Sequence, residues 1–514
     1  MASNETNKYL MRRYDLSGGM DQSMNPFLMG DTRYTYLKNV VHDEYGSFSK
    51  DGGYSQYAST IASATNGVDL LFDYTDLSDT HTLLSVIKSN LYKATGDPIA
   101  WSQISASAFT EGNRCSAANF LDRCYIAEQA TNVSYTDGST LISISTDNGS
   151  ATIKGKYLEV LNNSLYLGAV TDATYDTNQV VYTYPSTHVF YNANETDHDT
   201  YATTSQIITV DGDITGIKAY QGLLFIFTEE DMWYWNPATY ETKQLAKIGC
   251  VAHDTIKEID GILYWASREG IYRFTGSSLP TLISLPITNW VTNSIWRLIN
   301  GSNWGEMNAG VLDGKYYLWI GTLTATMPGD SGAQSNVVIV YDTYRDSWFF
   351  LDNHPSNQWT TFINSSGDKR LLFGSNAAGK TYQRDFSYTH DTSAITSVIR
   401  TKYFDFENPE SEKTLGDFYV AYRPEGETAK YITVKIAKNG DNSYTTYLDG
   451  SSTTKLPLTG TTTKEYQFER ATIGGLRGRT ISYEFSNADS GVNVTLLGYT
   501  QWYGYIQPNL NYTT

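Results

Sequence analysis

The stretch DGILYWASREGIYRF, Asp260 to Phe274, decides the fold. An Asp-Gly turn leads into five strand-favouring residues, a four-residue polar turn follows, and a second aromatic run closes the unit. Asp-Gly between apolar runs is a strong hairpin signal, because both central residues of the tight turn need positive φ. The same grammar stands upstream in GIKAYQGLLFIFTEEDMWYW, 216 to 235. It recurs, more loosely, in 310–320 with 336–350, in 359–383, and earlier in 157–169, 116–128 and 68–94.

One turn residue per unit, Asp79, Asp122, Asn163, Gly222, Gly261, Gly314 and Gly367, gives steps of 39 to 59 residues with a mean of 48. A period of roughly 40 to 50 residues with several strands per unit is the signature of propeller blades. Near-continuous apolar runs such as Leu223 to Phe227 and Ile262 to Ala266 leave each small sheet with two faces to cover. Units of that kind must stack, and stacking closes into a ring that protects the edges. The expectation is an all-β chain with a β-propeller of about seven blades, six to eight fitting the soft boundaries. Two unrelated sandwiches are the alternative. Leu223, Phe225, Leu263 and Trp265 are expected between sheets.

After about residue 390 the strands lengthen and alternate, as in SVIRTKYFDF, LGDFYVAYRP and VNVTLLGYTQWYGY, which predicts a C-terminal antiparallel β-sandwich. The organisation read from the chain is an N-terminal arm over 1–55, a propeller over 56–390 and a sandwich over 391–514. One segment breaks the pattern: ITNWVTNSIWRLIN, 287–300, places Val291, Ile295, Trp296 and Ile299 at helical spacing.

Composition narrows the function classes. The 514 residues include 41 Tyr and 41 Gly but only 12 Pro, which suits short strands and tight turns. A net charge of −18 argues against a strong basic surface for gripping phosphates. Three cysteines, Cys115, Cys124 and Cys250, form neither a disulfide framework nor a zinc motif and point to synthesis in a reducing cytosol. Neither a signal-peptide core nor an apolar run of membrane-spanning length is expected.

Four short motifs invite chemistry, and each has a plainer reading. GDSGA, 329–333, copies a protease nucleophile loop but lies in a polar insertion with no His and Asp partners in the required arrangement. STDNGSAT, 145–152, resembles a single sialidase Asp-box, a structural turn that still needs two facing carboxylates elsewhere for glycoside hydrolysis. In TDHDT, 196–200, His198 between Asp197 and Asp199 reads as a solvated loop. GGLRGR, 474–479, precedes a strand and so lacks the helix terminus that would cradle phosphate. No catalytic, cofactor-binding or metal residue is assigned, no cofactor is expected, and the chain is read as a non-enzyme.

The head of the chain carries a resemblance. YDLSGGMDQSMNPFLMGDTRYTYLKNVVHDEYGSFSKDGGYSQY, 14–57, has a Gly-Gly arm, a Met-rich linker, a segment ending Leu37-Lys38-Asn39-Val40, an acidic turn and then Lys50-Asp51-Gly52-Gly53-Tyr54. This is similar to the head of propeller proteins from bacteriophage virions, although Lys50 stands where that family usually has Arg, and Asp51 follows it. Units such as LFIFTEEDMWYWNP and VVIVYDTYRDSWFFLD, with a sandwich after them, look like the tail nozzle or packaged-DNA stabilisation proteins of short-tailed phages. The resemblance implies a homohexameric ring at the tail end. Such a ring meets a tail adaptor or portal-side ring protein and other tail proteins, continues the DNA channel, retains the genome and permits its ejection. It would pass double-stranded DNA without tight binding, stay out of the membrane, and carry no active-site residues. The rival expectation is a propeller binding module in which exposed aromatics such as Tyr316, Tyr317 and Trp359 contact a host receptor or glycan.

Overall fold

The computed structural model describes residues 8–25, 27–42, 46–61, 67–95, 99–144, 153–171, 176–186, 190, 206–288, 294–327, 330, 332–384, 387–424, 431–446, 456–458, 466–472 and 476–506. Five four-stranded antiparallel sheets stand alone, over 68–105, 116–143, 157–209, 214–246 and 257–282. Two further four-stranded runs belong to larger sheets: 308–351, and 356–384 completed by Gly53–Gln56. In this order they are blades 1 to 7. The first strands of neighbouring blades touch, and that of blade 7 touches that of blade 1, so the ring is closed. Between blades 4 and 5 the contact runs through the single turn His253–Thr255.

The hairpin grammar is what builds each blade. All seven repeat markers fall in the turn between the first and second strands, and all have positive φ: Asp79 61°, Asp122 58°, Asn163 60°, Gly222 78°, Gly261 75°, Gly314 68° and Gly367 83°. In five of these turns the preceding residue, Leu121, Asn162, Gln221, Asp260 or Asp313, is left-handed too. That is the mirror-image turn whose twist matches the flanking strands.

Large apolar side chains fill the gaps between blades. Trp265 of blade 5 is fully buried, with the Phe227 ring of blade 4 at 5.2 Å and Tyr272 at 6.0 Å. Its indole N–H donates to the Gly249 carbonyl at 3.1 Å, so the one polar atom is satisfied. Phe225 and Leu263 are buried with it, whereas Leu223 is half-buried, because it leaves the Gln221–Gly222 turn at the rim of the blade.

Among the described residues the expected helix over 287–300 is not continuous: helical turns occupy Leu285–Thr288 and Ile295–Leu298, Ser294 between them is extended, and Val291 lies outside the described residues. Ile295 and Trp296 are nevertheless buried, so the apolar spacing reported packing rather than a continuous helix.

The C-terminal part is a sandwich. One sheet contains Lys413–Arg423 between Thr495–Tyr505 and Gln467–Thr472, and the other contains Ser397–Thr401, Ile481–Asn487 and Tyr431–Lys438. Aromatic rings meet between them, with Phe418 stacked on Tyr483 at 5.1 Å and Tyr499 beside Phe485 at 5.1 Å.

Residues 1–55, read from the sequence as an arm, are distributed over three sheets where they are described. Lys8–Arg13 pairs with Thr495–Tyr505, and Phe48–Lys50 joins the same sandwich strand. Tyr34–Lys38 bridges the last strand of blade 6 to Ser397–Thr401, making one continuous sheet from propeller to sandwich. Gly53–Gln56 then enters blade 7.

Candidate functional site at the propeller axis and its closing seam

Seven first strands surround a cavity of about 370 Å³ on the propeller axis. Each blade contributes to its wall, from Leu71 and Ala117 through Glu159, Lys218 and Lys257 to Val311 and Thr360. Lys218 holds Glu159 at 3.0 Å, and the half-buried Lys257 is pushed to lower pKa by desolvation, with Asp254 opposing the shift.

Arg114 closes one mouth. It precedes the first strand of blade 2 and reaches the Asn357 side chain of blade 7 at 2.9 Å, the Met307 carbonyl at 3.3 Å and the Glu306 carboxylate at 3.3 Å. Asp254 lies 3.6 Å from the same guanidinium and accepts from Gln358 at 3.0 Å. Gly112, Lys156, Tyr157 and His253 complete this rim around about 210 Å³.

Potential nucleophiles in this region are quiet. Burial raises the Cys115 thiol well above its ordinary pKa, so little thiolate forms at neutral pH. Ser116 accepts the Leu158 N–H at 3.0 Å as part of the sheet. His253 is held at about 4 by burial, and its Nδ1 lies 3.4 Å from the Ile217 N–H, where it can act as an acceptor. The arrangement can hold water or a small polar solute, and its cross-axis bonds brace the ring.

A second cluster sits where the ring closes. Asp51, His354 and His390 place potential ligand atoms within 4.8 Å of one another, the only group of this kind among the described residues. Two imidazoles and a carboxylate are a reasonable donor set for a transition metal. Here the cation position is taken by Arg384, which donates to both Asp51 oxygens at 2.9 and 2.5 Å and to His354 Nε2 at 2.8 Å. A metal would have to expel that guanidinium, so the cluster is an internal ion-paired lock. The sequence reading missed it because its members are spread over 339 positions and have no motif spacing.

The motifs noted in the sequence divide in two. Of GDSGA, Asp330 is half-buried and ion-paired to Lys38 at 3.2 Å, while Ser331 lies outside the described residues. STDNGSAT and TDHD lie wholly outside them, as do Gly474 and Gly475. Arg477–Gly478 is a short strand on Lys413–Arg423. The aromatics offered for glycan or receptor contact are not exposed: Tyr316, Tyr317 and Trp359 are buried. Tyr316 donates to the Thr255 carbonyl at 2.6 Å, and Trp359 packs on Phe373 at 4.8 Å. They alternate along strands whose two faces are both covered, which a reading of one strand cannot reveal.

No protein-family model matches the chain, and no curated protein matches it. Among solved structures, the chain is similar to U3-55K at 9% identity and a TM-score of 0.38, covering 63% of this chain and 97% of that one. It is also similar to the extracellular domain of the hybrid two-component system BT4673 from B. thetaiotaomicron, at 10% identity and a TM-score of 0.38. That match covers 79% of this chain and 49% of the other, so this chain spans about half its length. Likeness at this level carries no argument about function.

Proposed function

We propose that this chain is a structural virion protein whose copies form a ring, a hexamer on the pattern of the resembled family, at the end of a short phage tail. In this role it extends the DNA channel, meets an adaptor or portal-side ring protein and other tail proteins, and retains the packaged genome until ejection. The supporting observation is that the head segment bearing the resemblance forms the seams of the fold. Asn39 donates to the Asp352 carboxylate at 2.7 Å and the Thr396 carbonyl at 2.9 Å, tying the blade 6 to blade 7 link to the start of the sandwich. Lys50, fully buried, donates to the Asn487 side chain at 3.0 Å. Gly53 and Tyr54 begin the strand that completes blade 7.

A chain stitched this way passes force between its parts instead of bending at a linker, which suits a wall that withstands internal pressure. The cavity of about 370 Å³ on the propeller axis is far too small for a duplex whose major groove alone is about 12 Å wide. DNA would therefore pass between copies, on the axis of the ring. With 55 acidic against 37 basic residues, the wall would let phosphates slide without strong attraction.

The test is assembly. Mass photometry of purified protein and electron microscopy of particles should find six copies at the tail end. A monomer at assembly concentrations that is also absent from tails would sink the proposal. Fluorescence anisotropy with duplex DNA at physiological salt should show only weak binding. Sub-micromolar affinity would overturn the passive-wall mechanism while leaving the ring standing.

A further inference from the structure

The seam that closes the propeller has an unusual composition. Gly53–Gln56 lies between two strands of later sequence, antiparallel to Thr381–Arg384 and parallel to Thr389–His390. It thus supplies the fourth strand of blade 7 and pairs on its other edge with the chain leading to the sandwich. Two buried histidines 4.8 Å apart and a half-buried arginine meet in this seam.

Their protonation states follow from their partners. His354 Nδ1 lies 2.9 Å from the Asp352 carbonyl, which can only accept, so Nδ1 carries the proton. Nε2 then holds a lone pair for Arg384, and His354 is neutral. His390 is buried, its ring stacks on Tyr54 at 5.1 Å, and its Nε2 has no hydrogen-bond partner. The charged groups around the pair are Asp51, Asp352 and Asp391 on one side, and Arg384, Lys50 and Lys380 on the other. Asp51 is committed to Arg384, Asp352 accepts from Asn39, and Asp391 holds Lys380 at 3.2 Å. Each acid in this set already holds another partner.

We infer that the Asp51–His354–Arg384–His390 cluster is an acid-sensitive latch on the propeller seam: protons taken up by the two histidines repel Arg384 and release Gly53–Gln56 from blade 7. Protonating His354 removes the lone pair that Arg384 uses and sets two cations in contact. Protonating His390 creates a buried charge beside the same guanidinium. The latch does not depend on the ring-assembly proposal, because it acts within one chain.

Burial lowers both histidines, His390 to about 4 against an ordinary 6.5, with Asp51 partly opposing the shift. The opened seam therefore binds protons more readily than the closed one. From His390 alone, linkage gives a roughly fiftyfold rise in the opening constant between pH 7 and pH 4.5.

Hydrogen–deuterium exchange with mass spectrometry, corrected for the intrinsic pH dependence of exchange, measures this on the full chain. Peptides spanning 51–57 and 381–391 should lose protection as pH falls from 7 to 4.5, while those of blades 2 and 3 keep theirs. His390→Phe keeps the stacking on Tyr54, leaves no bonding partner orphaned and cannot titrate, so the acid response should shrink by roughly the fiftyfold assigned to His390. The inference fails if seam and distant blades loosen together, which would be global acid unfolding, or if His390→Phe responds to acid as the parent does.

Discussion

Arg384 lies against Asp51 across 333 residues of sequence, donating both guanidinium arms to a carboxylate that is fully buried. Burial alone would raise the Asp51 pKa, but the charge and hydrogen bonds of Arg384 hold it well below the ordinary carboxylate range. Gly53 adds a backbone N–H at 3.0 Å. Removing one partner of such a pair strands the other. Arg384→Met should cost about 3 to 5 kcal/mol in urea unfolding at pH 7, because Asp51 is left charged and dry. Asp51→Asn combined with Arg384→Met should cost clearly less than the two single changes together. Additive losses would mean that the ion pair is not the unit of stability.

How much of this could be read from the sequence depends on whether the signal was local. The hairpin turns were legible because a positive φ at Gly222, Gly261 or Gly314 is a local demand that residue type answers. All seven chosen markers occupy the same turn of their blade, and the repeat follows from that. The Asp51–Arg384 lock, the Arg114 brace and the burial of Tyr316, Tyr317 and Trp359 depend on which strands become neighbours. Nothing within a window of the chain reports that. The helix over 287–300 is interrupted at the extended Ser294 for a related reason: apolar residues at helical spacing, such as Ile295 and Trp296, can be buried without one continuous helix.

Trp265 tests the packing between blades. Trp265→Ala removes a fully buried indole between blades 4 and 5 and orphans the Gly249 carbonyl it bonds. The loss should be about 3 to 5 kcal/mol in denaturant unfolding, at the level of large-to-small core changes. A loss within experimental error would place that face of blade 5 in solvent.

Asp69 gives the propeller a second pH dependence, of opposite sign to that of the seam histidines. Burial is the main cause that raises its carboxyl to about 7, and Glu111 and Glu128 add repulsion against the Gly112 N–H bond at 3.0 Å. The folded chain therefore holds a proton that the unfolded chain releases near 3.8. Stability from this site is complete below about 4 and is lost as pH rises towards 7. Asp69→Asn keeps an acceptor for Gly112 and cannot ionise. Its stability relative to the parent should improve steadily between pH 4 and pH 7 in chemical denaturation, and a constant difference across that range would show that Asp69 titrates normally.

Asp330 makes the strongest case against reading GDSGA as a catalytic loop. Its carboxylate receives Lys38 at 3.2 Å, lies 3.7 Å from Arg400, and also takes the Tyr36 hydroxyl and the Gln334 amide. Tyr36 and Lys38 belong to the bridging strand, and Arg400 belongs to the sandwich, where Glu484 holds it at 2.7 Å. One acidic side chain from a propeller insertion thus neutralises the junction of the two parts. Asp330→Ala would leave Lys38 with Asp352 at 3.8 Å as its nearest ion-pair partner and would take one carboxylate from Arg400, which keeps Glu484. A loss of about 3 kcal/mol follows from stranding largely buried charge. Exchange should quicken first at Tyr34–Lys38 and Ser397–Thr401, the two strands that meet at this junction, while blades 2 and 3 stay protected. Unchanged stability together with unchanged exchange at those strands would return Asp330 to the status of a surface-loop residue.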